Sequence, residues 1–136
     1  MSNVSEILSK KGGTIWSVSL QATVYDTLQL MTDKNVGAVL VLEDGKIAGI
    51  FSERDFARHS VKKSLQLDQI PVKEMMTTRI LFVGPSETTE ECMSLMSAKR
   101  IRHLPVIEND KLIGLISIGD VVSKIIEDHK FSISQL

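Results

Sequence analysis

Two segments of this chain place a hydroxyl and a carboxylate one helical turn apart. Gly49-Ile50-Phe51-Ser52-Glu53-Arg54-Asp55 and Gly114-Leu115-Ile116-Ser117-Ile118-Gly119-Asp120 share one pattern: glycine, two apolar residues, serine, two variable residues, aspartate. An apolar run leading into Ser-x-x-Asp predicts a junction from strand to helix. In that setting the serine is a helix N-cap and the aspartate an acidic residue of the first turn. The same geometry suits a nucleotide. A helix N-terminus offers free N–H groups and the positive end of its dipole to phosphate. A carboxylate accepts hydrogen bonds from the two vicinal hydroxyls of a ribose. Arg54 has no part in a cap; at the helix start it reaches a phosphate through charge-assisted bonds, or else is simply solvated. Taken as residues alone, the motifs leave capping and ligand binding both open.

Other chemistry is poorly served. Gly114 to Gly119 resembles a nucleophile elbow only superficially, because Leu115 occupies the position that needs the first glycine. His59, His103 and His129 are scattered without metal-ligand spacing, so no metal site is expected. His59 and His129 are expected near helix C-termini, where a cationic imidazole suits the dipole. No phosphate-binding loop of the Gly-x-x-x-x-Gly-Lys type is present. The lone cysteine, Cys92, falls in an apolar pattern with Met93, Leu95 and Met96, which predicts a small core residue. No catalytic set emerges, and an enzyme is not expected.

The formal net charge of −1 lacks the basic footprint of a nucleic-acid binder. The basic pairs Lys62-Lys63 and Lys99-Arg100 are expected on a solvated face. The N-terminal residues do not read as a signal peptide, and no apolar run is long enough to span a bilayer. The expected setting is cytoplasmic.

The elements that position the motifs come from a duplication. Shifted by 65 residues, segment 14–58 matches segment 79–123 without gaps, with twelve identities in 45 positions. They include Thr23/Thr88, Met31/Met96, Gly49/Gly114, Ser52/Ser117 and Asp55/Asp120. Ahead of this block, Val4 to Ser9 resembles Val72 to Thr77, with three extra residues following in the first copy. Each copy predicts a short β-segment (Ile15 to Val18, Ile80 to Val83) and then a helix capped by Thr23 with Asp26 or Thr88 with Glu91. A hairpin follows, turning at Asp44-Gly45 or Asn109-Asp110. Its strands, Ala38 to Leu42 with Ile47 to Phe51 and Leu104 to Ile107 with Leu112 to Ile116, are apolar enough to be buried on both faces. A second helix then starts at Ser52 or Ser117. The polar stretch Ser60 to Gln69, closed by Pro71, reads as a linker. The fold class is therefore α/β (α+β), β-α-β-β-α twice, with repeats over 1–66 and 67–136.

This unit resembles the cystathionine-β-synthase (CBS) domain in its tandem, pseudo-twofold pair, the Bateman module. Arg102-His103-Leu104-Pro105-Val106 and the two Gly-x-x-Ser-x-x-Asp segments carry the resemblance, which extends over nearly the whole chain and is nearest to stand-alone bacterial pairs. It implies a regulatory module that binds AMP, ADP, ATP, NAD(H) or S-adenosylmethionine in two clefts between the repeats. It also implies that Ser and Asp hold the ribose, and that the repeat's first β-segment and hairpin start frame the adenine. By motif position the first cleft would use Thr14, Ile15, Val36, Ala38, Ser52, Arg54 and Asp55, with Arg102 and His103 turned to the phosphates. The second would use Ile80, Ile101, His103, Ser117 and Asp120, with Gly37-Ala38 on its phosphate side and Gly119 in place of Arg54, hence fewer cations. Three departures stand out: Leu40 replaces the usual hairpin proline, Leu20 stands where the second copy has Pro85, and Glu53 adds a negative charge near the phosphate position. The resemblance further implies a homodimer through the helices, consistent with apolar Phe56, Val61, Val121, Val122, Ile125 and Ile126 on several helix sides. Signalling would pass to a target protein the sequence does not identify. The alternatives are a dimeric scaffold without a small ligand and a nucleotide hydrolase.

Overall fold

The computed structural model describes residues 2–61 and 66–136. The pair Lys62-Lys63 lies outside the described residues, while Lys99 and Arg100 are exposed, as expected. In chain order the elements are α1 (Val4–Lys11), β1 (Ser17–Ser19), α2 (Val24–Lys34), β2 (Ala38–Glu43), β3 (Lys46–Ser52) and α3 (Glu53–Ser60). A single 3₁₀ turn at Val72–Glu74 precedes α4 (Thr89–Lys99), β4 (His103–Glu108), β5 (Lys111–Ser117) and α5 (Ile118–Ser134). The architecture is mixed α+β.

The described residues form two compact units, Ile15–Ile80 and Met1–Thr14 joined with Leu81–Leu136. Sequence similarity and packing thus divide the chain differently. The segment ahead of the 15–80 block packs with residues 81–136, and Val72 to Thr77 pack with residues 15–61.

In the 15–80 unit, β1 pairs in parallel with β2, and β2 pairs antiparallel with β3. The β2–β3 hairpin turns at Asp44 and Gly45, which adopt φ of 52° and 78°. Positive φ at both central residues matches the right-handed strand twist. One extra residue, Ala48, interrupts the ladder between the pairs Val41–Gly49 and Leu42–Ile47. Helix α2 begins at Thr23, whose hydroxyl accepts the Asp26 N–H, and ends with Asn35 in the left-handed conformation. Asp26 does not return the second bond of the expected capping box. The core joins Val24, Met31, Val39, Val41 and Phe51 to Val72 and Met75 of the 3₁₀ turn region. Burying side chains of this size stabilises the fold by about 1.5–3 kcal/mol apiece.

The other unit repeats these devices. Its hairpin turns at Asn109 and Asp110, both with positive φ, and Ile113 is the extra residue. Thr88 and Glu91 form a complete capping box on α4, and Arg100 takes the left-handed C-cap. The core contains Val83, Cys92, Met96, Leu104, Val106, Ile116 and Val121, closed by Val4 and Ile7 of α1. Cys92 is fully buried, as its apolar pattern predicted.

One expected element is reduced. The segment Ile80 to Val83 forms no strand, only a single parallel bridge from Val83 to Val106. Two prolines explain this. In the first copy Leu40 N–H donates to Trp16 O at 3.1 Å and Leu20 N–H to Leu42 O at 2.9 Å. The equivalent positions are Pro105 and Pro85, which have no N–H to give, so the ladder loses the bonds on either side of Val83. A second difference concerns α5, which continues to Ser134, so His129 lies outside the last turn where it was expected; His59 is in the last turn of α3.

Candidate functional site

Both Gly-x-x-Ser-x-x-Asp segments lie where expected, at the junctions β3–α3 and β5–α5. Ser52 is the N-cap of α3. Its hydroxyl accepts the Asp55 N–H at 3.2 Å, and Asp55 Oδ2 accepts the Ser52 N–H and hydroxyl, each at 2.9 Å. Ser117 caps α5 in the same way: its hydroxyl accepts the Asp120 N–H at 3.1 Å and Asp120 Oδ2 accepts the Ser117 N–H at 2.8 Å. The capping role is therefore real in both copies. It also fixes both carboxylates in place at the helix N-termini.

The start of each hairpin is held beside its motif. Ala38 pairs with Ser52, and Glu53 N–H donates to Gly37 O at 3.1 Å. His103 pairs with Ser117, and Ile118 N–H donates to Arg102 O at 2.8 Å. The structure thus gathers Val36, Ala38, Ser52, Arg54 and Asp55 at one end of the 15–80 sheet, and Ile101, Arg102, His103, Ser117 and Asp120 at the equivalent end of the other. Arg54 and Arg102 are exposed, and His103 is half-buried. Thr14 and Ile15 straddle the point where the chain passes from one unit to the other, and Ile80 is the last residue before it passes back. Thr14 and Ile80 consequently belong to the unit that does not contain the motif to which each was assigned.

Sequence reasoning missed three contacts at these sites. The first concerns the glycines. A Cβ on Gly49 would lie 2.5 Å from Met76 Sδ and 3.0 Å from Thr77 O; one on Gly114 would lie 2.6 Å from Leu8 Cδ2. Met76 and Leu8 are equivalent residues of the segments Val72 to Thr77 and Val4 to Ser9, so each motif glycine exists to let that segment pack. The second is Thr77, which donates its hydroxyl to Asp55 Oδ1 at 2.8 Å while its backbone exchanges two bonds with Ile50, at 2.8 and 2.9 Å. The third is Lys11. Its ammonium bonds Asp120 Oδ2 at 2.6 Å and Leu115 O at 2.7 Å. Leu115 is the counterpart of Ile50, so one lysine side chain replaces the two donors of Thr77, its backbone N–H and its hydroxyl. The self-match of Val4–Ser9 with Val72–Thr77 was the available signal for the glycine contacts. The three residues inserted after Ser9 left no such signal for Lys11.

These surroundings set the electrostatics. Burial of the Asp120 carboxyl works to raise its pKa, but the Lys11 ammonium and the Ser117 donors outweigh it and hold the group below the ordinary aspartate value. Among the described residues, no three or more His, Cys, Asp or Glu side chains are placed to share a metal ion. No described helix is long and apolar enough to cross a membrane.

A duplicated α+β module with a capped Ser-x-x-Asp at each strand-to-helix junction defines the class, and comparison with known proteins fixes the family. The family profile described as CBS domain matches residues 4–62 and again 72–127. This chain belongs to the CBS-domain family and carries two copies. It is 34% identical over 143 residues to the CBS domain-containing protein CBSX3, mitochondrial, of Arabidopsis thaliana, covering 98% of this chain and 69% of that protein. A solved structure of a protein with CBS domains from Burkholderia ambifaria MC40-6 is 45% identical, with a TM-score of 0.84 over 93% of this chain and 96% of that one. The CBS domain pair of MJ0100, solved in complex with 5′-methylthioadenosine and S-adenosyl-L-methionine, shares the fold at 17% identity, with a TM-score of 0.77 over 91% and 99% of the two chains.

Proposed function

We propose that this CBS pair is a regulatory module that binds an adenosine-containing ligand at its two Gly-x-x-Ser-x-x-Asp motifs. The observation that carries this is the repeated placement of a serine–aspartate cap, a helix N-terminus and the first residues of a hairpin strand at one sheet end. Ser52 with Asp55 and Ser117 with Asp120 hold the ribose. Thr14, Ile15, Val36 and Ala38, and in the second copy Ile80 and Ile101, frame the base. Arg54, Arg102 and His103 meet the phosphates of AMP, ADP, ATP or NAD(H). The complex of MJ0100 with two adenosine derivatives supports the ligand class and keeps S-adenosylmethionine in view.

The module acts by binding rather than turnover. Ligand shifts a conformational equilibrium by its differential affinity for two states, and a partner protein reads the change. A homodimer through the helices belongs to the same reading, supported by exposed Val122, Ile126, Phe131 and Ile133 on α5. So does a cytoplasmic setting, which suits one unpaired cysteine.

Thermal melting with AMP, ADP, ATP, NAD⁺, NADH and S-adenosylmethionine tests it. A ligand at a hundred times its Kd stabilises by about 2.7 kcal/mol. For a chain of this length that raises Tm by about 5–15 °C. The shift is expected to disappear in stages, one contribution with Asp55→Ala and the other with Asp120→Ala. No shift with any of the six at millimolar concentration would leave the motifs as helix caps in an interaction scaffold. Release of product from ATP or NAD⁺ would move the protein among enzymes.

A further inference from the structure

The two ribose carboxylates are not in the same state. Asp55 accepts a neutral hydroxyl from Thr77. Asp120 accepts an ammonium from Lys11, in an ion pair of 2.6 Å whose side chains are 39% and 24% exposed. The second bond from Lys11, to Leu115 O, fixes the ammonium across the front of the motif. A hydroxyl such as that of Thr77 can rotate and stay beside an arriving diol. An ammonium is different: with the Ser117 N–H it fills the two lone pairs of Asp120 Oδ2, so a diol that bridges both carboxylate oxygens must displace it.

The surroundings say what would take the displaced charge. Beside the pair, α1 and α5 flank an open pocket of about 360 Å³ lined by Ile7, Lys10, Lys11, Asp120, Ser123, Lys124 and Glu127. Lys10 and Lys124 already share the carboxylate of Glu127 at 3.0 and 3.5 Å, so a displaced Lys11 would stand in a lining where three lysines face two acids, one of them newly taken by the ligand. An anionic group arriving with the ligand restores the lost pairing; a neutral ligand does not.

We propose that Lys11 is an internal competitor for Asp120, which closes the second motif to neutral nucleosides and yields it to nucleotides whose phosphate takes the displaced ammonium. This rests on the nucleotide-binding function proposed above and goes beyond it, because it assigns different ligand classes to the two motifs. The first motif accepts neutral and charged adenosine derivatives alike. The second selects anionic ones. If the pair is closed about nine-tenths of the time, a ligand that cannot compensate binds about tenfold more weakly than the open motif would allow.

Calorimetric titration with adenosine and with AMP tests the assignment one motif at a time. In an Asp55→Ala chain, which retains only the second motif, AMP is expected to bind at least about tenfold more tightly than adenosine. Adding Lys11→Met is expected to tighten adenosine by about that factor and to erase most of the preference for AMP. Lys11→Gln, which keeps an N–H donor for Leu115 O, is expected to do the same and guards against a merely unfolded variant. In an Asp120→Ala chain Lys11→Met changes neither affinity. Adenosine affinity at the second motif that is unchanged or weaker in both Lys11 variants would overturn the competitor while leaving nucleotide binding intact. Binding of S-adenosylmethionine but not AMP at that motif would overturn it as well. No heat of binding with either ligand in any chain would remove the functional reading itself, and the competitor with it.

Discussion

The two copies solve one packing problem with different chemistry. In both, a segment from elsewhere in the chain lies over the motif glycine and must satisfy the carbonyl that follows it and the aspartate six residues on. In the 15–80 unit the segment is short and extended after its 3₁₀ turn, so the backbone and hydroxyl of Thr77 reach Ile50 and Asp55. In the other, the corresponding residues belong to α1, a helix of eight residues, and helical backbone has no free N–H to offer there. Lys11, the last residue of α1, does both tasks with a side chain. Duplication preserves the demand, and local secondary structure decides how it is met. The result is a charged contact in one copy and a neutral one in the other.

The largest difference between the copies that chemistry can read is at the position shared by Thr27 and Cys92, both fully buried. Thr27 satisfies its hydroxyl by donating to Thr23 O at 2.8 Å. The Cys92 thiol is pushed up to about 11, first by burial and then by the charges of Glu87 and Glu91. Since the thiolate is the reactive form, labelling of the folded protein by iodoacetamide at pH 8 is expected to run at least roughly a hundredfold slower than for an unfolded chain. Rapid stoichiometric labelling under native conditions would show that this core opens far more readily than its packing implies.

Next in size are the glycines. Adding a methyl group to a packed site costs about 1–3 kcal/mol, depending on how far the neighbours can yield. At Gly114 the obstruction is the end of the Leu8 side chain, which can rotate away; at Gly49 it includes the Thr77 carbonyl, 3.0 Å from the added Cβ and fixed by its bond from the Ile50 N–H. Gly49→Ala is therefore expected to lower stability in urea unfolding more than Gly114→Ala. Equal losses would mean that the Thr77 bridge gives way as easily as a side chain.

Much of this was legible in the sequence. The duplication, both hairpin turns, the four N-caps and the core position of Cys92 follow from local pattern, because turns and caps are decided by residues within one turn of each other. The strand expected over Ile80 to Val83 failed for a reason also written in the sequence, in Pro85 and Pro105, whose missing donors matter only once the pairing is known. Thr77 and Lys11 were not legible. Thr77 lies 22 residues from its aspartate and Lys11 lies 109, and no periodicity connects a lysine at the end of α1 to the first turn of α5. The pattern places the two motif glycines, but what approaches them, Met76 with Thr77 or Leu8, is set by tertiary packing alone.

Smaller effects separate the two contacts directly. Thr77→Val removes a hydrogen bond to a charged, partly buried carboxylate and is expected to cost about 1.5 kcal/mol. Lys11→Met removes an ion pair whose lysine is more than a third exposed, so solvent screens much of its value and the loss is expected to stay below about 1 kcal/mol. Acid then distinguishes the Lys11 contribution from ordinary packing. Asp120 is held below its ordinary value in the folded chain, so the unfolded state binds the proton more readily. Its contribution is complete above the unfolded aspartate pKa, near 4, and is lost as pH falls through the lower folded value. Stability measured in urea from pH 7 to pH 2 should therefore show the wild type above Lys11→Met at neutral pH, with the two curves converging in acid. Parallel curves across that range would mean that Lys11 stabilises the chain through its aliphatic stem, and that the charge on Asp120 is held by the Ser117 cap alone.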